Sequence, residues 1–84
     1  MVPVEMYVTN YCPYCTSAKA LLNKRGIPFK VIDVTSDTAK REWLVETTGR
    51  RTVPQIFIDG KSVGGSDDIH ELDRKGELMK MVGA

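Results

Sequence analysis

Apolar positions along the chain form two kinds of segment: short continuous runs typical of buried strands, and longer stretches with helical spacing. Four strand-like runs lie between turn residues, and they cover residues 2–9, 29–34, 55–59 and 61–63. Three helix-like stretches each end at or just before a glycine, and they cover residues 13–25, 36–48 and 66–75. A last short turn of helix is expected over residues 78–82. The main elements therefore follow the order β-α-β-α-β-β-α.

The predicted helices carry start and stop signals. Pro13 suits the first position of a helix, where its missing N–H group is not needed, and Gly26 suits the end of that helix. Thr35 or Ser36 can cap the second helix, and Ser66 can cap the third, because a hydroxyl oxygen accepts hydrogen bonds from the free N–H groups of a first turn.

The buried side of the second helix is less clearly marked. We expect Ala39, Leu44 and Val45 to face the core. Trp43 has two interpretations, an ordinary partly buried aromatic residue or a partly exposed ring beside a binding groove.

The first strand, first helix and second strand form a βαβ unit, whose two strands should be parallel with a right-handed crossover. Asp59-Gly60 predicts a hairpin turn between the last two strands. We therefore expect an α/β fold in which one four-stranded mixed sheet has helices on both faces. The length of 84 residues predicts one domain, spanning residues 1–84.

Composition narrows the range of partners and compartments. Twelve basic and 11 acidic residues give a net charge of +1, so we expect neither nucleic acid nor a membrane surface as a partner. No apolar run approaches the length of a transmembrane helix, and the N-terminus has no hydrophobic region of the signal-peptide kind. We therefore expect a cytoplasmic location, where disulfides are more often transient and catalytic than structural.

The segment Cys12-Pro13-Tyr14-Cys15 joins the first strand to the first helix. With Cys12 at the N-cap position, the free N–H groups and the dipole of the helix favour a thiolate over a thiol. Cys15 lies one turn later on the same side, within disulfide reach but deeper in the helix. A CxxC pair beside a βαβ unit predicts a redox-active dithiol.

Two structural interpretations of the cysteine pair are weaker. A permanent disulfide between positions three apart closes a very small loop and would stabilise the fold by only roughly 2 kcal/mol. A zinc site needs about four ligands. The chain has only two cysteines and one histidine, His70, so no metal site is expected.

Thr52-Val53-Pro54 comes immediately before the third strand and should lie near the cysteines. If the Val53–Pro54 bond is cis, the turn would present the N–H and C=O groups of Val53 outward, where an extended peptide-like substrate could pair with them. A trans bond is the statistical default, and these residues alone do not favour cis.

Gly64-Gly65-Ser66-Asp67 comes before and within the start of the third helix. Glycines there let a ligand approach the backbone, and the free N–H groups of the helix can bind a carboxylate. The Asp67 carboxylate could hold a neighbouring ammonium group, so the segment suits the head group of an α-amino acid. The alternative is a plain capped helix with acidic residues in its first turn.

Taken together, these motifs closely resemble those of dithiol glutaredoxins of the small bacterial type. The resemblance covers nearly the whole chain and rests on Cys-Pro-Tyr-Cys at 12–15, Thr-Val-Pro at 52–54 and Gly-Gly-Ser-Asp-Asp at 64–68. It implies a thioredoxin-like fold, a cis proline at position 54 and glutathione as the reductant, with no permanently bound cofactor.

The resemblance also implies roles for individual residues. Cys12 would be the nucleophile and Cys15 the resolving cysteine. The backbone of Val53 would pair with the cysteinyl unit of glutathione, in a turn shaped by its two neighbours. The residues expected to bind glutathione are Tyr14, Arg41, Thr52, Val53, Pro54, Gly65, Ser66 and Asp67.

One position departs from the family pattern. Glutaredoxins usually carry a lysine three residues before the first cysteine, and this chain has Thr9 there. Arg41 in the second helix matches a position that often contacts the glycine carboxylate of glutathione, although it could equally be a solvated helix arginine. Arg50 and Arg51 add positive charge near the Thr-Val-Pro turn.

The activity implied is thiol–disulfide exchange. The substrates would be protein–glutathione mixed disulfides and protein disulfides, with ribonucleotide reductase among the family's targets, and glutathione reductase would restore the glutathione pool. The chain is expected to act as a monomer. Two rival functions are a redoxin reduced directly by thioredoxin reductase and a carrier of a [2Fe–2S] cluster bridging two chains. Proline directly after the first cysteine is generally unfavourable to cluster binding in this family.

Overall fold

Eight regular elements alternate along residues 1–83, the part of the chain that the computed structural model describes. The strands are β1 (Val4–Val8), β2 (Lys30–Asp33), β3 (Gln55–Ile58) and β4 (Lys61–Gly64). The helices are α1 (Pro13–Lys24), α2 (Thr38–Thr48), α3 (Ser66–Arg74) and α4 (Leu78–Val82). Within residues 1–83, none of the helices combines the length and hydrophobicity that a bilayer crossing requires.

The four strands form one mixed sheet in the order β2-β1-β3-β4. β1 is parallel to β2, as the βαβ unit predicted, and antiparallel to β3. The β3–β4 pair is antiparallel, and its tight turn places both Asp59 and Gly60 at positive φ. The expected four-stranded mixed sheet is confirmed.

One face of the sheet carries the larger core. Met6 of β1 and Ile56 of β3 pack with Leu22 of α1, Ile69 of α3 and Leu78 of α4, and all five side chains are fully buried. This face holds α1 with its N-terminus at the end of β1. The packing therefore fixes where the Cys-Pro-Tyr-Cys segment begins.

The opposite face is covered by α2 over a smaller core that includes Tyr7, Phe57 and Leu44. Trp43 is 41% exposed and stacks on Phe57 with a centroid distance of 5.7 Å, while Tyr7 lies 5.6 Å away. Helices on both faces of the sheet are thus confirmed. Trp43 closes an aromatic cluster, although much of its ring faces solvent.

Three predictions about helix details were wrong. The N-cap of α2 is Asp37, whose carboxylate accepts from the Lys40 N–H at 2.9 Å, rather than Thr35 or Ser36. Gly65 occupies the N-cap position of α3, so that Ser66 is its first helical residue. Ala39 is exposed. A capping side chain is selected by the direction in which the loop enters the helix, and several polar residues in a row make that position ambiguous from sequence.

Candidate functional site

Cys12 lies at the N-cap of α1, where the chain turns from β1 into the helix. Its backbone is extended, and the Cys15 N–H donates a hydrogen bond to the Cys12 sulfur at 3.2 Å. Pro13 occupies the first turn, as its missing N–H group allows. An N–H group and the positive end of a helix dipole thus face the sulfur, an arrangement suited to a thiolate nucleophile.

Cys15 has the opposite surroundings. Its side chain is 2% exposed and belongs to the larger core. Burial and, to a smaller degree, the hydrogen bond with Cys12 raise the pKa of the Cys15 thiol to about 12, despite lowering contributions from the Thr9 backbone and, less, from Lys19. Both cysteines are free thiols in this structure. At neutral pH, Cys15 is therefore a protonated partner for the more accessible Cys12.

Val53 brings the second predicted segment to the cysteines. The Cys12 thiol donates to the Val53 carbonyl at 3.4 Å, although the two residues are 41 positions apart in sequence. The Val53–Pro54 bond is cis, as the family resemblance implied. Within residues 1–83 the Val53 N–H group has no backbone partner. One backbone donor beside the reactive sulfur is thus available to a ligand.

Gln55 holds Thr52, the residue before Val53, by side-chain hydrogen bonds. The sequence did not reveal this role. The Gln55 side chain is fully buried, and its amide nitrogen donates to the Thr52 carbonyl at 2.8 Å and to the Thr52 hydroxyl at 3.4 Å. The available signal in the sequence was a polar residue, Gln55, at the start of an otherwise apolar strand. The hydrogen bonds fix the backbone of the Thr-Val-Pro segment independently of any ligand.

Hydrogen bonds to Asp68 hold the first turn of α3 in place. Oδ2 of Asp68 accepts from the Gly65 N–H and from the Arg50 guanidinium, each at 2.8 Å. These two hydrogen bonds lower the pKa of the Asp68 carboxyl, with the backbone bond from Gly65 contributing most. A carboxylate three residues after an N-cap is the spacing of a capping box. Asp68 therefore links the start of α3 to the segment that precedes β3.

The two glycines before α3 allow this close approach. Gly64 has a φ of +102°, and a Cβ there would overlap the Asp68 side chain. A Cβ on Gly65 would lie 3.0 Å from the Pro54 carbonyl oxygen. The Gly-Gly segment and the Thr-Val-Pro segment consequently lie against each other with little space for larger residues.

These segments enclose a cleft of about 290 Å³, which we call the Tyr14 cleft. Its lining residues are Tyr14, Arg50, Thr52, Val53, Pro54, Gly65, Ser66, Asp67 and Asp68. The structure thus brings together every predicted glutathione-binding residue except Arg41, and it adds Arg50 and Asp68. Tyr14 is 63% exposed at the rim of the cleft, while Pro54 and Ser66 are buried in its walls.

Arg41 lies in a neighbouring cleft of about 670 Å³ between α2 and the segment before β3. Val53 and Arg50 line both clefts, so the two are adjacent. Arg51 lines the second cleft with Arg41. The neighbouring cleft therefore carries Arg41 and Arg51 together with two acidic residues, Glu42 and Glu46. Asp67 lines the Tyr14 cleft alone.

Comparisons with known proteins identify the family to which these motifs belong. The family model described as Glutaredoxin matches residues 4–63. The chain belongs to the glutaredoxin family. It is 47% identical over 82 residues to Glutaredoxin 3 of Escherichia coli (strain K12), covering 98% of this chain and 99% of that protein. It is 43% identical over 84 residues to a glutaredoxin of Pseudomonas aeruginosa, with both chains covered in full.

Solved glutaredoxin structures have the same fold. A buckwheat glutaredoxin–glutathione complex superimposes with a TM-score of 0.91 at 34% identity, covering 96% of this chain and 76% of that chain. A glutaredoxin from Brucella melitensis gives a TM-score of 0.86 at 42% identity, covering 100% and 94%. The thioredoxin-like fold is therefore confirmed. As a glutaredoxin with a CxxC pair at Cys12 and Cys15, the chain is a thiol–disulfide oxidoreductase.

Proposed function

We propose that this glutaredoxin uses glutathione to reduce protein–glutathione mixed disulfides and protein disulfides, with Cys12 as nucleophile and Cys15 as resolving cysteine. The hydrogen bond between the Cys12 sulfur and the Val53 carbonyl carries the proposal, because it sets the reactive atom at the edge of the Tyr14 cleft. That a buckwheat glutaredoxin of the same fold was solved as a glutathione complex supports the choice of ligand.

The lining of the Tyr14 cleft suits each part of glutathione. Val53 offers a backbone N–H and C=O to the cysteinyl unit, in the manner of an added strand. The first N–H groups of α3, at Ser66 and Asp67, suit the α-carboxylate of the γ-glutamyl unit, and the Asp67 carboxylate suits its ammonium group.

The remaining predicted residues shape or extend this site. Thr52 and Pro54 shape the turn that presents Val53, Gly65 lets the ligand approach the backbone, and Tyr14 packs beside it. Arg41 is proposed to attract the glycine carboxylate, because its cleft adjoins the Tyr14 cleft at Val53.

With a glutathionylated protein, the reaction requires only Cys12. Its thiolate attacks the glutathione sulfur, a new S–S bond forms, and the protein thiolate leaves with the bonding electron pair. A second glutathione thiolate then attacks the glutathione sulfur held on Cys12, which releases glutathione disulfide and regenerates the Cys12 thiolate.

With a protein disulfide, both cysteines take part. Cys12 attacks one substrate sulfur to form a mixed disulfide, and the other substrate sulfur leaves as a thiolate. Cys15 loses its proton to solvent and its thiolate attacks the Cys12 sulfur, so that the second substrate sulfur leaves as a thiolate and a Cys12–Cys15 disulfide remains. Glutathione then reduces this disulfide.

The proposal includes the partners and setting that this chemistry requires. A catalytic disulfide that must be reduced in each cycle suits the reducing cytoplasm. Glutathione reductase would act indirectly by restoring glutathione, and ribonucleotide reductase is a family target. The chain is proposed to act as a monomer and as one domain spanning residues 1–84.

The first experiment is glutathione-dependent deglutathionylation of a peptide, coupled to NADPH oxidation through glutathione reductase. We expect the parent and Cys15→Ser to turn over and Cys12→Ser to lose at least about a thousandfold in rate, because a serine hydroxyl is a poor nucleophile at neutral pH. A protein disulfide as substrate should require both cysteines. An inactive parent that thioredoxin reductase reduces directly would contradict glutathione dependence, and an iron–sulfur chromophore in the purified protein would favour the cluster-carrier function.

A further inference from the structure

A third cleft lies on the side of Cys12 away from α3, and its volume is about 530 Å³. It is bounded by the end of β1, the start of α1 and the edge strand β2. Its lining residues are Val8, Thr9, Asn10, Tyr11, Cys12, Pro13, Cys15, Thr16, Lys19, Val31 and Asp33. We call it the Lys19 cleft. Both cysteines line this cleft. The Tyr14 cleft is lined instead by Val53, whose carbonyl accepts a hydrogen bond from Cys12.

Lys19 supplies the only positive side chain among the lining residues of this cleft in the described part of the chain. It follows Cys15 by four residues on α1, so both side chains lie on the same side of the helix. It is half-buried. Thr9 lines the same cleft without a charge.

The positive charge of Lys19 affects the pKa values of two neighbouring groups, the Cys15 thiol and the Asp33 carboxyl. It lowers the pKa of the Cys15 thiol, although by less than the hydrogen bond with the Thr9 backbone does and against the larger raising effect of burial. It also contributes to lowering the pKa of the Asp33 carboxyl, after the hydrogen bonds from Thr35. Independently of these pKa shifts, Lys19 and Cys15 line the same cleft and are one helical turn apart on α1.

We propose that the Lys19 ammonium group stabilises the developing Cys15 thiolate when glutathione reduces the Cys12–Cys15 disulfide. The inference rests on the proposed function and assigns Lys19 to the reactions in which Cys15 takes part. A buried sulfur is a poor leaving group because burial disfavours its thiolate, and a nearby cation lowers that barrier.

The electron balance of this step is simple. A glutathione thiolate attacks Cys12, the more accessible sulfur, and forms a mixed disulfide. The Cys12–Cys15 bond breaks, its electron pair goes to the Cys15 sulfur, and that thiolate then takes a proton from solvent. A second glutathione thiolate releases glutathione disulfide from Cys12, so that two glutathione molecules supply the two electrons.

The negative charge of Asp33 should counteract the stabilisation of the Cys15 thiolate by Lys19. Asp33 is the carboxylate that lines the same cleft, and its Oδ1 accepts from the Thr35 N–H at 2.8 Å. Asparagine at this position would keep an oxygen acceptor for that N–H group while removing the negative charge. The cleft therefore offers two substitutions, at Lys19 and at Asp33, whose effects should have opposite signs.

The test measures the rate at which glutathione reduces the preformed Cys12–Cys15 disulfide of the purified protein. We expect Lys19→Gln to be up to about threefold slower than the parent, since a rise of about one unit in the leaving-group pKa slows exchange about threefold. Lys19→Arg should retain most of the rate. Asp33→Asn should be up to about threefold faster. Lys24→Gln, at the far end of α1, is the matched control and should equal the parent.

A second assay separates this inference from the function on which it rests. In the Cys15→Ser background, Lys19→Gln should slow deglutathionylation by a clearly smaller factor than it slows disulfide reduction, because no Cys15 thiolate forms there. Equal losses in both assays, or no loss in disulfide reduction, would overturn the role of Lys19 at Cys15. An inactive Cys15→Ser protein with intact Lys19 would instead contradict the proposed function.

Discussion

The Tyr14 cleft and the Lys19 cleft meet at Cys12 but are built from different groups. The Tyr14 cleft combines backbone groups, held by the hydrogen bonds from Gln55 to Thr52 and from Gly65 to Asp68, with the charged side chains of Arg50, Asp67 and Asp68. The Lys19 cleft has two charged side chains, Lys19 and Asp33, beside the buried thiol of Cys15.

On our proposals, the Tyr14 cleft binds glutathione and the Lys19 cleft stabilises the sulfur that leaves during disulfide reduction. A backbone donor and acceptor depend on the conformation of their segment, so substitutions that alter φ or the turn geometry should impair binding. A charge beside a leaving sulfur depends on distance and screening, so substitutions that alter charge should change exchange rates. The two clefts should therefore respond to different classes of mutation.

The largest expected effect separates the two cysteines. At about pH 8 we expect iodoacetamide to label Cys12 more than about a hundredfold faster than Cys15 in the reduced protein, as measured by peptide mass spectrometry over time. Cys15 is 2% exposed, and a pKa of about 12 leaves roughly one molecule in ten thousand as thiolate at that pH. Comparable labelling of both residues would contradict the contrast in their environments.

Gly64→Ala is expected to break the conformation of the Tyr14 cleft. The new Cβ would overlap the Asp68 side chain at a φ of +102°, so the free energy of unfolding should fall by about 2–4 kcal/mol. The KM for a glutathionylated peptide should rise several-fold, while glutathione reduction of the Cys12–Cys15 disulfide changes less. Urea unfolding and steady-state kinetics measure the two effects.

Gly49→Ala is the matched control for this substitution. Gly49 also has a positive φ, +73°, but a Cβ there would meet no atom within 4 Å. Its cost should be about 1 kcal/mol, with an unchanged KM. An equal loss of stability and affinity in both variants would show that contact with Asp68 is unimportant.

The smallest expected effect concerns the charge of Asp68. Because the folded pKa is lowered by Gly65 and Arg50, the carboxylate stabilises the fold above about pH 4, and this contribution is lost as the pH falls further. Asp68→Asn should therefore be less stable than the parent at about pH 6, and the difference should shrink toward about pH 2. We expect at most about 1 kcal/mol, because Arg50 and Asp68 are 50% and 40% exposed.

Arg50→Gln tests whether the ion pair causes that pH dependence. It should remove part of the same acid-sensitive contribution, and the double variant should lose less than the sum of the single changes. Urea midpoints measured between about pH 2 and pH 6 give all three values. A pH-independent difference between Asp68→Asn and the parent would contradict the assignment.

The fold was predictable because its signals are local and agree with each other. Short apolar runs, the helix stops and the Asp59-Gly60 turn predicted the element order that the structure shows. The capping residues were less predictable. Gly65 rather than Ser66 caps α3, because Asp68 reaches back to the Gly65 N–H and fixes the entry of the chain. That contact depends on how the glycine segment lies against the rest of the site.

The sequence by itself determined the reactive dithiol, since the helix start at Pro13 and the spacing of Cys12 and Cys15 are local properties. It also predicted that residues 64–67 could bind an amino-acid head group, and this stays a prediction. Only the tertiary structure decided that the Cys12 sulfur meets Val53 across 41 residues, that Gln55 supports this turn and that Lys19 lies beside Cys15 in a separate cleft. These relations depend on sheet packing, which joins distant segments in ways that no local pattern specifies.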